Sequence, residues 1–528
     1  MNSVFKKKVS VLVVAAVAVG FLIAAVLQGF SPPMAFAFAP TISTSGYPGP
    51  GDTITVNGGG WPARHTLNIS YDSQQLTTAV VRFQLGIIGQ PIGAFRASLT
   101  VPINTTVGSH TIHVVDPSTG LAQQTTIAVK AEWSQFGFTA AGARYNPYET
   151  TIGAGNVGQL TLDWSNNTGY TGAVMPTAAE DDLLISNQAA HYLTNLNAVT
   201  GQQIWQTYPV DAASQEAVAN GVVFVGNLYL EARTIATGAI LWKSSYLIFE
   251  GSPVLANGLV YDTANHGALY AFSQDGCGQA TCDPLWSYTP TGGFYGTPAV
   301  AGGYAYLGGN HLSVLDANTG TVQWTGAITP GESIPTTIVD NGTVFFVANS
   351  TYNGVTLYAF NAAGCGQAAC SPLWTVYNAS GWGNSPAAAN GVLYIGGIDN
   401  ALYTFAAAGC GAPTCTPIWK GTTSSRVLTS PAVANGVVYV SNWYPGAVMA
   451  FDASGCGSAT CAPLWSASLG TFYVDAPPTV ANGVLYVSND SGMLYAFHLP
   501  NTTSVCNAAT KRQAPATVCP RSSRRSVR

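Results

Sequence analysis

The chain has 528 residues, 47% hydrophobic and only 8% charged, against roughly a quarter charged in an average soluble protein. Its 58 Gly, 25 Tyr and 12 Trp disfavour a helical protein, because Gly is poor in helix interiors and aromatics favour strands. Disorder is disfavoured too, since there is ample apolar surface to bury. Residues 38–498 carry 9 Lys+Arg against 23 Asp+Glu, a balance that argues against nucleic acid as a partner.

In chain order, Lys6, Lys7 and Lys8 precede an apolar run from Val9 to Leu27, followed by Ala35-Phe36-Ala37. A positive segment, an apolar segment and a small-x-small site make a secretory leader. Residues 1–37 are therefore expected to be a removed signal peptide. A retained N-terminal anchor, the only membrane contact expected, is the alternative, because the run approaches the length of a membrane span. Either places the body outside the cytoplasm, secreted or at the cell surface. No cysteine precedes Cys277, which excludes a lipoprotein anchor at the leader.

Residues 41–130 alternate apolar and polar positions in short runs such as Asp52–Asn57, Thr66–Tyr71, Ala94–Val101 and His110–Val115. Period-two patterning with a turn every ten residues or so predicts a small β-sandwich. The stretch from Pro48-Gly-Pro-Gly-Asp52 to Gly59-Gly-Trp61, with a later Gly-Ser-His-Thr-Ile strand, resembles bacterial immunoglobulin-like or IPT-type modules.

From about residue 160 the sequence repeats every 40–50 residues, a period that points to a propeller or solenoid. A strand Trp recurs as Trp164, Trp205, Trp242, Trp286, Trp324, Trp374, Trp419 and Trp465. A turn-opened strand recurs eight times, six of them beginning Asn-Gly, at Asn220, Asn257, Asn341, Asn390, Asn435 and Asn482. Asn-Gly between apolar strands is a strong hairpin signal, because a type I′ turn needs φ > 0 at both central residues. The Trp164 strand comes before the first such turn, and no Trp strand follows Leu494–Phe497. The two ends therefore complement each other. The expected fold is all-β: a sandwich, a lead-in at 131–160, and an eight-bladed β-propeller over 161–498, closed by N- and C-terminal strands in one blade. Residues 499–528, with six of the cations, read as a basic disordered tail. The expected state is a monomer.

The repeat Ser430-Pro-Ala-Val-Ala-Asn-Gly-Val-Val-Tyr-Val-Ser, followed by Phe451-Asp-Ala and Trp465, resembles the PQQ-like repeat of quinoprotein-type propellers. The segment holding Trp133, Ala143-Arg-Tyr-Asn-Pro147, Glu149, Ile152, Asn156-Val157, Leu160 and Trp164 is similar to the lead-in of quinoprotein alcohol dehydrogenases. That resemblance implies a propeller fold. For an active member it also implies a quinone cofactor with Ca²⁺, a stacked vicinal disulfide and an aspartate base. No two cysteines are adjacent here and no recurring carboxylate cluster appears, although Ca²⁺ takes six to eight oxygens.

Ten cysteines fall as Cys277/Cys282, Cys365/Cys370, Cys410/Cys415, Cys456/Cys461 and Cys506/Cys519. The first four pairs share the form Gly-Cys-Gly-x-x-x-Cys, each between a Phe strand and the next Trp strand, so each is expected to decorate an enlarged hairpin. In an exported chain these read as local disulfides; two ligands per hairpin with no nearby His do not make a zinc site. Polar residues on loops at the propeller mouth are candidate binding residues, since a rigid ring presents variable side chains there. They are Glu250, Glu332, Arg426, Asp475, His266 and Trp443, with Glu216, His191, His311, Asp399 and Asp490 beside them; an ordinary solvated side chain is the plainer reading of each. No catalytic residue and no metal ligand is assigned. The sequence thus predicts an exported, non-catalytic binding or scaffold propeller, with no cofactor and with a protein or glycan ligand at the envelope. The alternatives are a divergent PQQ- and calcium-dependent dehydrogenase and an envelope protein assembly factor.

Overall fold

The computed structural model describes residues 40–45, 49–50, 53–85, 91–102, 104–169, 172, 174–187, 191–208, 210, 215–226, 228–247, 251–264, 267–290, 296–329, 332–333, 336–350 and 354–500. The leader, the basic tail, Glu250, His266, Cys506 and Cys519 lie outside them. The described residues are all-β, with one 3-10 turn at Val157–Gln159. None of their helices is long and apolar enough to cross a membrane.

The chain divides into two compact units, Met1–Val129 and Lys130–Arg528. The first holds two four-stranded sheets. One orders Thr41–Ser45, Thr53–Pro62, Pro91–Thr100 and Arg82–Leu85; the other orders Gln74–Val80, Thr66–Tyr71, Gly108–Val115 and Ala122–Val129. Their alternating inward residues, among them Ile54, Val56, Leu67, Ile69, Phe95, Ile112 and Val114, form one core around the fully buried Trp61.

The second unit holds eight sheets among the described residues, each an antiparallel run of four main strands. Their inner strands are, in order, Thr177–Ala179, Ala217–Ala219, Val254–Ala256, Ala299–Ala301, Thr337–Asp340, Ala387–Ala389, Ala432–Ala434 and Thr479–Ala481. Each lies beside the inner strand of the next sheet, and the eighth lies beside the first. Mostly small residues let eight strands converge. The Asn-Gly turns that follow take positive φ at both centres, as at Asn220 (53°) and Gly221 (77°), which is the hand that joins twisted strands without splaying them. The outer strand of the eighth sheet is Thr161–Asn167. It pairs antiparallel with Met493–His498, from Thr161 opposite His498 to Asn167 opposite Met493.

The lead-in ties these inner strands together. The amides of Ala178, Val218, Val300, Val339, Ala388 and Val433 donate to the carbonyls of Trp133, Ser134, Ala140, Ala141, Ala143 and Arg144 at 2.7–3.1 Å. Leu255 N–H donates to Gln135 Oε1 (2.9 Å). Ala131 exchanges hydrogen bonds with Asn482, and Asn146 Nδ2 donates to Val480 O (2.9 Å). Residues 131–146 therefore start on the eighth sheet, visit the other seven in order and return to the eighth. Arg144 is fully buried on this path. Its guanidinium donates to Pro431 O and Pro478 O and lies 5.4 Å from the ring centres of Trp133 and Phe136. Burial pulls its pKa down to about 9, since a desolvated cation is disfavoured.

The strand tryptophans join neighbouring sheets. A Cβ added at Gly201 would stand 2.5 Å from Trp164, and one at Gly276 would stand 2.7 Å from Trp242. The ring of one sheet thus packs against the next sheet's outer hairpin. All four described cysteine pairs are disulfides: Cys277–Cys282, Cys365–Cys370, Cys410–Cys415 and Cys456–Cys461. Each clips a hairpin whose end pairs in parallel with the outer strand of the preceding sheet: Thr281–Cys282 beside Lys243 and Ser244, Ala369–Cys370 beside Thr325 and Gly326, Thr460–Cys461 beside Lys420 and Gly421, and Thr414 against Thr375. These hairpins cover outer edges that would otherwise offer unpaired backbone groups.

The disulfides sit on enlarged hairpins as expected, and those hairpins also pack onto the preceding sheet. Cys277, Cys365, Cys410 and Cys456 are exposed, but their partners Cys282, Cys370, Cys415 and Cys461 are buried. Cys415 belongs to the core that holds Trp374 and Val376 of the preceding sheet, and Cys282, Cys370 and Cys461 likewise join the cores around Trp242, Trp324 and Trp419. The parallel pairing draws the second half of each hairpin onto the preceding sheet, so its sulfur packs there as an apolar side chain. These four residues are structural, and none is available to a ligand.

Candidate functional site

In each antiparallel sheet the inner strand runs toward its tight turn and the next strand runs back. The loops after the second strand and the loops leading into the next inner strand therefore gather at one end, opposite the disulfide hairpins. Across the last three sheets, loops 423–431, 443–446, 469–478 and 489–492 are joined there by backbone hydrogen bonds. Trp443 N–H donates to Arg426 O (2.8 Å), Val474 N–H to Trp443 O (3.1 Å), Gly446 N–H to Phe472 O (3.0 Å) and Asp490 N–H to Tyr473 O (2.9 Å). Side chains add to this: Asn442 Nδ2 donates to Ser424 Oγ (2.7 Å) and Tyr444 N–H to Ser425 Oγ (3.1 Å).

The side chains on these loops form a layered cluster. The Trp443 and Tyr473 rings stack with centroids 4.8 Å apart and planes 27° from parallel, and Tyr444 leans on Tyr473 at 5.3 Å. The Arg426 guanidinium lies 5.7 Å from the Trp443 ring centre, within reach of a cation–π attraction. Tyr444, Phe472 and Tyr473 remain 49%, 49% and 44% exposed. Beside them Asp475 is exposed and Asp490 half-buried. Burial, then the like charge and hydrogen bond of Asp475, push the Asp490 pKa up to about 6. Two close carboxylates resist ionising together.

The structure thus brings together Arg426, Trp443, Asp475 and Asp490. Glu332 lies on the short strand Glu332–Ser333, paired with Ser350 and Asn349; its side chain is outside the described set. Asp399 accepts a hydrogen bond from Tyr403, His311 meets the Ser313 hydroxyl at 3.2 Å, and exposed His191 sits at the Tyr208 ring. Glu216 is fully buried in a contact between sheets, where Oε2 accepts from Thr177 Oγ1 (3.1 Å). Burial raises its pKa to about 7. Sequence reasoning missed Tyr444, Phe472 and Tyr473. Their signal was the aromatic pairs Trp443-Tyr444 and Phe472-Tyr473 in loops rather than strands.

A protein-family model described as PQQ_2, outer membrane protein assembly factor BamB, matches residues 189–279, 229–364 and 358–456, which together span just over half of the chain. The chain belongs to that family. No curated protein matches its sequence. Among solved structures, a europium-containing methanol dehydrogenase is similar over 70% of this chain and 98% of its own, at 14% identity and a TM-score of 0.53; that likeness makes the second unit a β-propeller. The computationally designed Ika8 protein (11% identity, 64% and 98% covered, TM-score 0.49) and Saccharomyces cerevisiae Sqt1 (11%, 64% and 98%, 0.47) are similar at lower scores.

A quinoprotein fold raises the question of a quinone and its metal. Among the described residues no three His, Cys, Asp or Glu side chains stand close enough to hold a metal ion. Two fully buried carboxyls, Glu216 and Asp262, each bond a neighbour through one oxygen: Glu216 Oε2 accepts from Thr177 Oγ1, and Asp262 Oδ1 accepts from Thr263 N–H. These residues do not fit that cofactor's metal.

Proposed function

We propose that the protein is an exported, non-catalytic binding or scaffold protein of the cell envelope. In this reading the second unit is an eight-bladed propeller sealed by the Thr161–Asn167 strand, and residues 41–130 form an immunoglobulin-like sandwich ahead of it. The circuit of residues 131–146 through all eight sheets and the pairing of Thr161–Asn167 with Met493–His498 support the sealed ring. Two sheets on one core support the sandwich. Four disulfides support an oxidising, extracytoplasmic compartment, and a family described by an outer membrane protein assembly factor supports an envelope role.

The observation that carries the binding reading is the exposed aromatic and carboxylate cluster around Trp443, held in place by backbone hydrogen bonds between its loops. Co-sedimentation with isolated cell envelopes tests it. The purified protein is expected to pellet with envelopes, and Arg426→Ala with Tyr473→Ala to release it; no co-sedimentation overturns the scaffold reading. Dye reduction with PQQ, Ca²⁺ or a lanthanide ion, and methanol, ethanol or glucose is expected to stay at the blank rate. Turnover above it overturns the non-catalytic reading.

A further inference from the structure

We propose that the surface formed by Tyr444, Phe472, Tyr473, Asp475 and Asp490 binds a neutral, hydroxyl-rich saccharide. The proposal rests on the binding reading above and names the ligand class. Trp443 has Arg426 over its ring and Tyr473 stacked on it. The ring area open to a ligand therefore belongs mainly to Tyr444, Phe472 and Tyr473, each nearly half exposed. These rings are fixed by the backbone bonds that join their loops, so ordering them on binding costs little entropy. A rigid aromatic face matches the C–H face of a pyranose ring, which is apolar, flat and uncharged.

The polar half of the surface complements the rest of such a ring. An ionised carboxylate only accepts hydrogen bonds. Asp475 is exposed at this edge, and the half-buried Asp490 stands beside it. Sugar hydroxyls supply donors in adjacent pairs along one ring edge, beside the apolar face. A phosphate, sulfate or uronate would meet two carboxylates and be repelled. A cationic ligand would meet an aromatic stack that already carries the Arg426 charge. A neutral polyol satisfies both halves of the surface.

Calorimetry and saturation-transfer NMR with cellohexaose, maltohexaose, laminarihexaose and N-acetylchitohexaose test the proposal on the whole purified chain. At least one saccharide is expected to bind, with ring C–H protons receiving the strongest saturation. Tyr444→Ala and Tyr473→Ala are each expected to weaken binding at least about tenfold, and Asp475→Asn by about as much. Tyr377→Ala, which removes another exposed aromatic on an outer strand, should leave binding unchanged. An unchanged melting temperature confirms that each variant is folded. Failure of all four saccharides to bind at millimolar concentration, or binding indifferent to Tyr444→Ala and Asp475→Asn, overturns the proposal. Co-sedimentation that survives periodate oxidation of the envelopes also overturns it, in favour of a protein partner, and leaves the scaffold reading standing. Absence of co-sedimentation with untreated envelopes removes that reading by itself.

Discussion

Replacing Trp164 by Ala probes whether the two ends of the propeller segment seal one sheet. The indole lies on the Thr161–Asn167 strand, beside Gly201 of the first sheet and 6.1 Å from the Tyr486 ring. A large aromatic in such a place buries about 150 Å². At about 25 cal/mol per Å² that is about 4 kcal/mol, and the partial exposure of Trp164 brings the expected loss to about 3 kcal/mol. Trp242→Ala, at an interior junction where the ring is 5% exposed, should cost about 3–5 kcal/mol. Leu162→Asn, on the same strand as Trp164 but 51% exposed, should cost under about 0.5 kcal/mol. Urea unfolding followed by far-ultraviolet circular dichroism reads all three. If the Thr161–Asn167 strand were a loosely attached end, Trp164→Ala would unfold like Leu162→Asn. That result, with Trp242→Ala still costly, would refute the closure.

Converting Cys456 and Cys461 to Ser should destabilise the protein by about 2 kcal/mol, the chain-entropy value for so short a loop, and mild reduction should lower the melting temperature of the wild type but not of a variant lacking all four pairs. Stability should also depend on pH. Burial raises the folded pKa of Glu132 to about 8 and of Glu216 to about 7, and pushes Asp262 upward. The folded state then holds protons that the unfolded chain releases near pH 4–5. Stability from this source is full below that range and declines as pH rises through 7 to 8, so the melting temperature should fall from pH 5 to pH 8 and Glu216→Gln should flatten the slope; a flat wild-type profile would contradict the burial of these carboxyls. Gly276→Ala should cost roughly 2–4 kcal/mol in thermal unfolding, because φ is +72° there and the new Cβ meets the Trp242 ring. A neutral result would mean that the Trp242 ring does not lie on that hairpin.

The repeat and its turns were legible in the sequence because they are local. Asn-Gly imposes a left-handed backbone wherever it stands, and the spacing of Trp164 to Trp465 counts the outer strands one by one. The four Gly-Cys-Gly-x-x-x-Cys pairs were legible for the same reason, each bond closing a loop of a few residues. Tertiary structure alone decided that these hairpins reach across to the preceding sheet and bury Cys282, Cys370, Cys415 and Cys461 there, since parallel pairing between Thr281–Cys282 and the Lys243 strand leaves no trace in spacing. It also decided the course of residues 131–146, whose bonds join residues up to hundreds of positions apart and follow no period. The candidate surface shows the same division. Arg426, Trp443, Asp475 and Asp490 stood out individually as scarce charged or aromatic loop residues. Their meeting on one patch, with Tyr444, Phe472 and Tyr473 between them, depends on three successive sheets placing separate loops at one end, which a one-dimensional pattern does not encode.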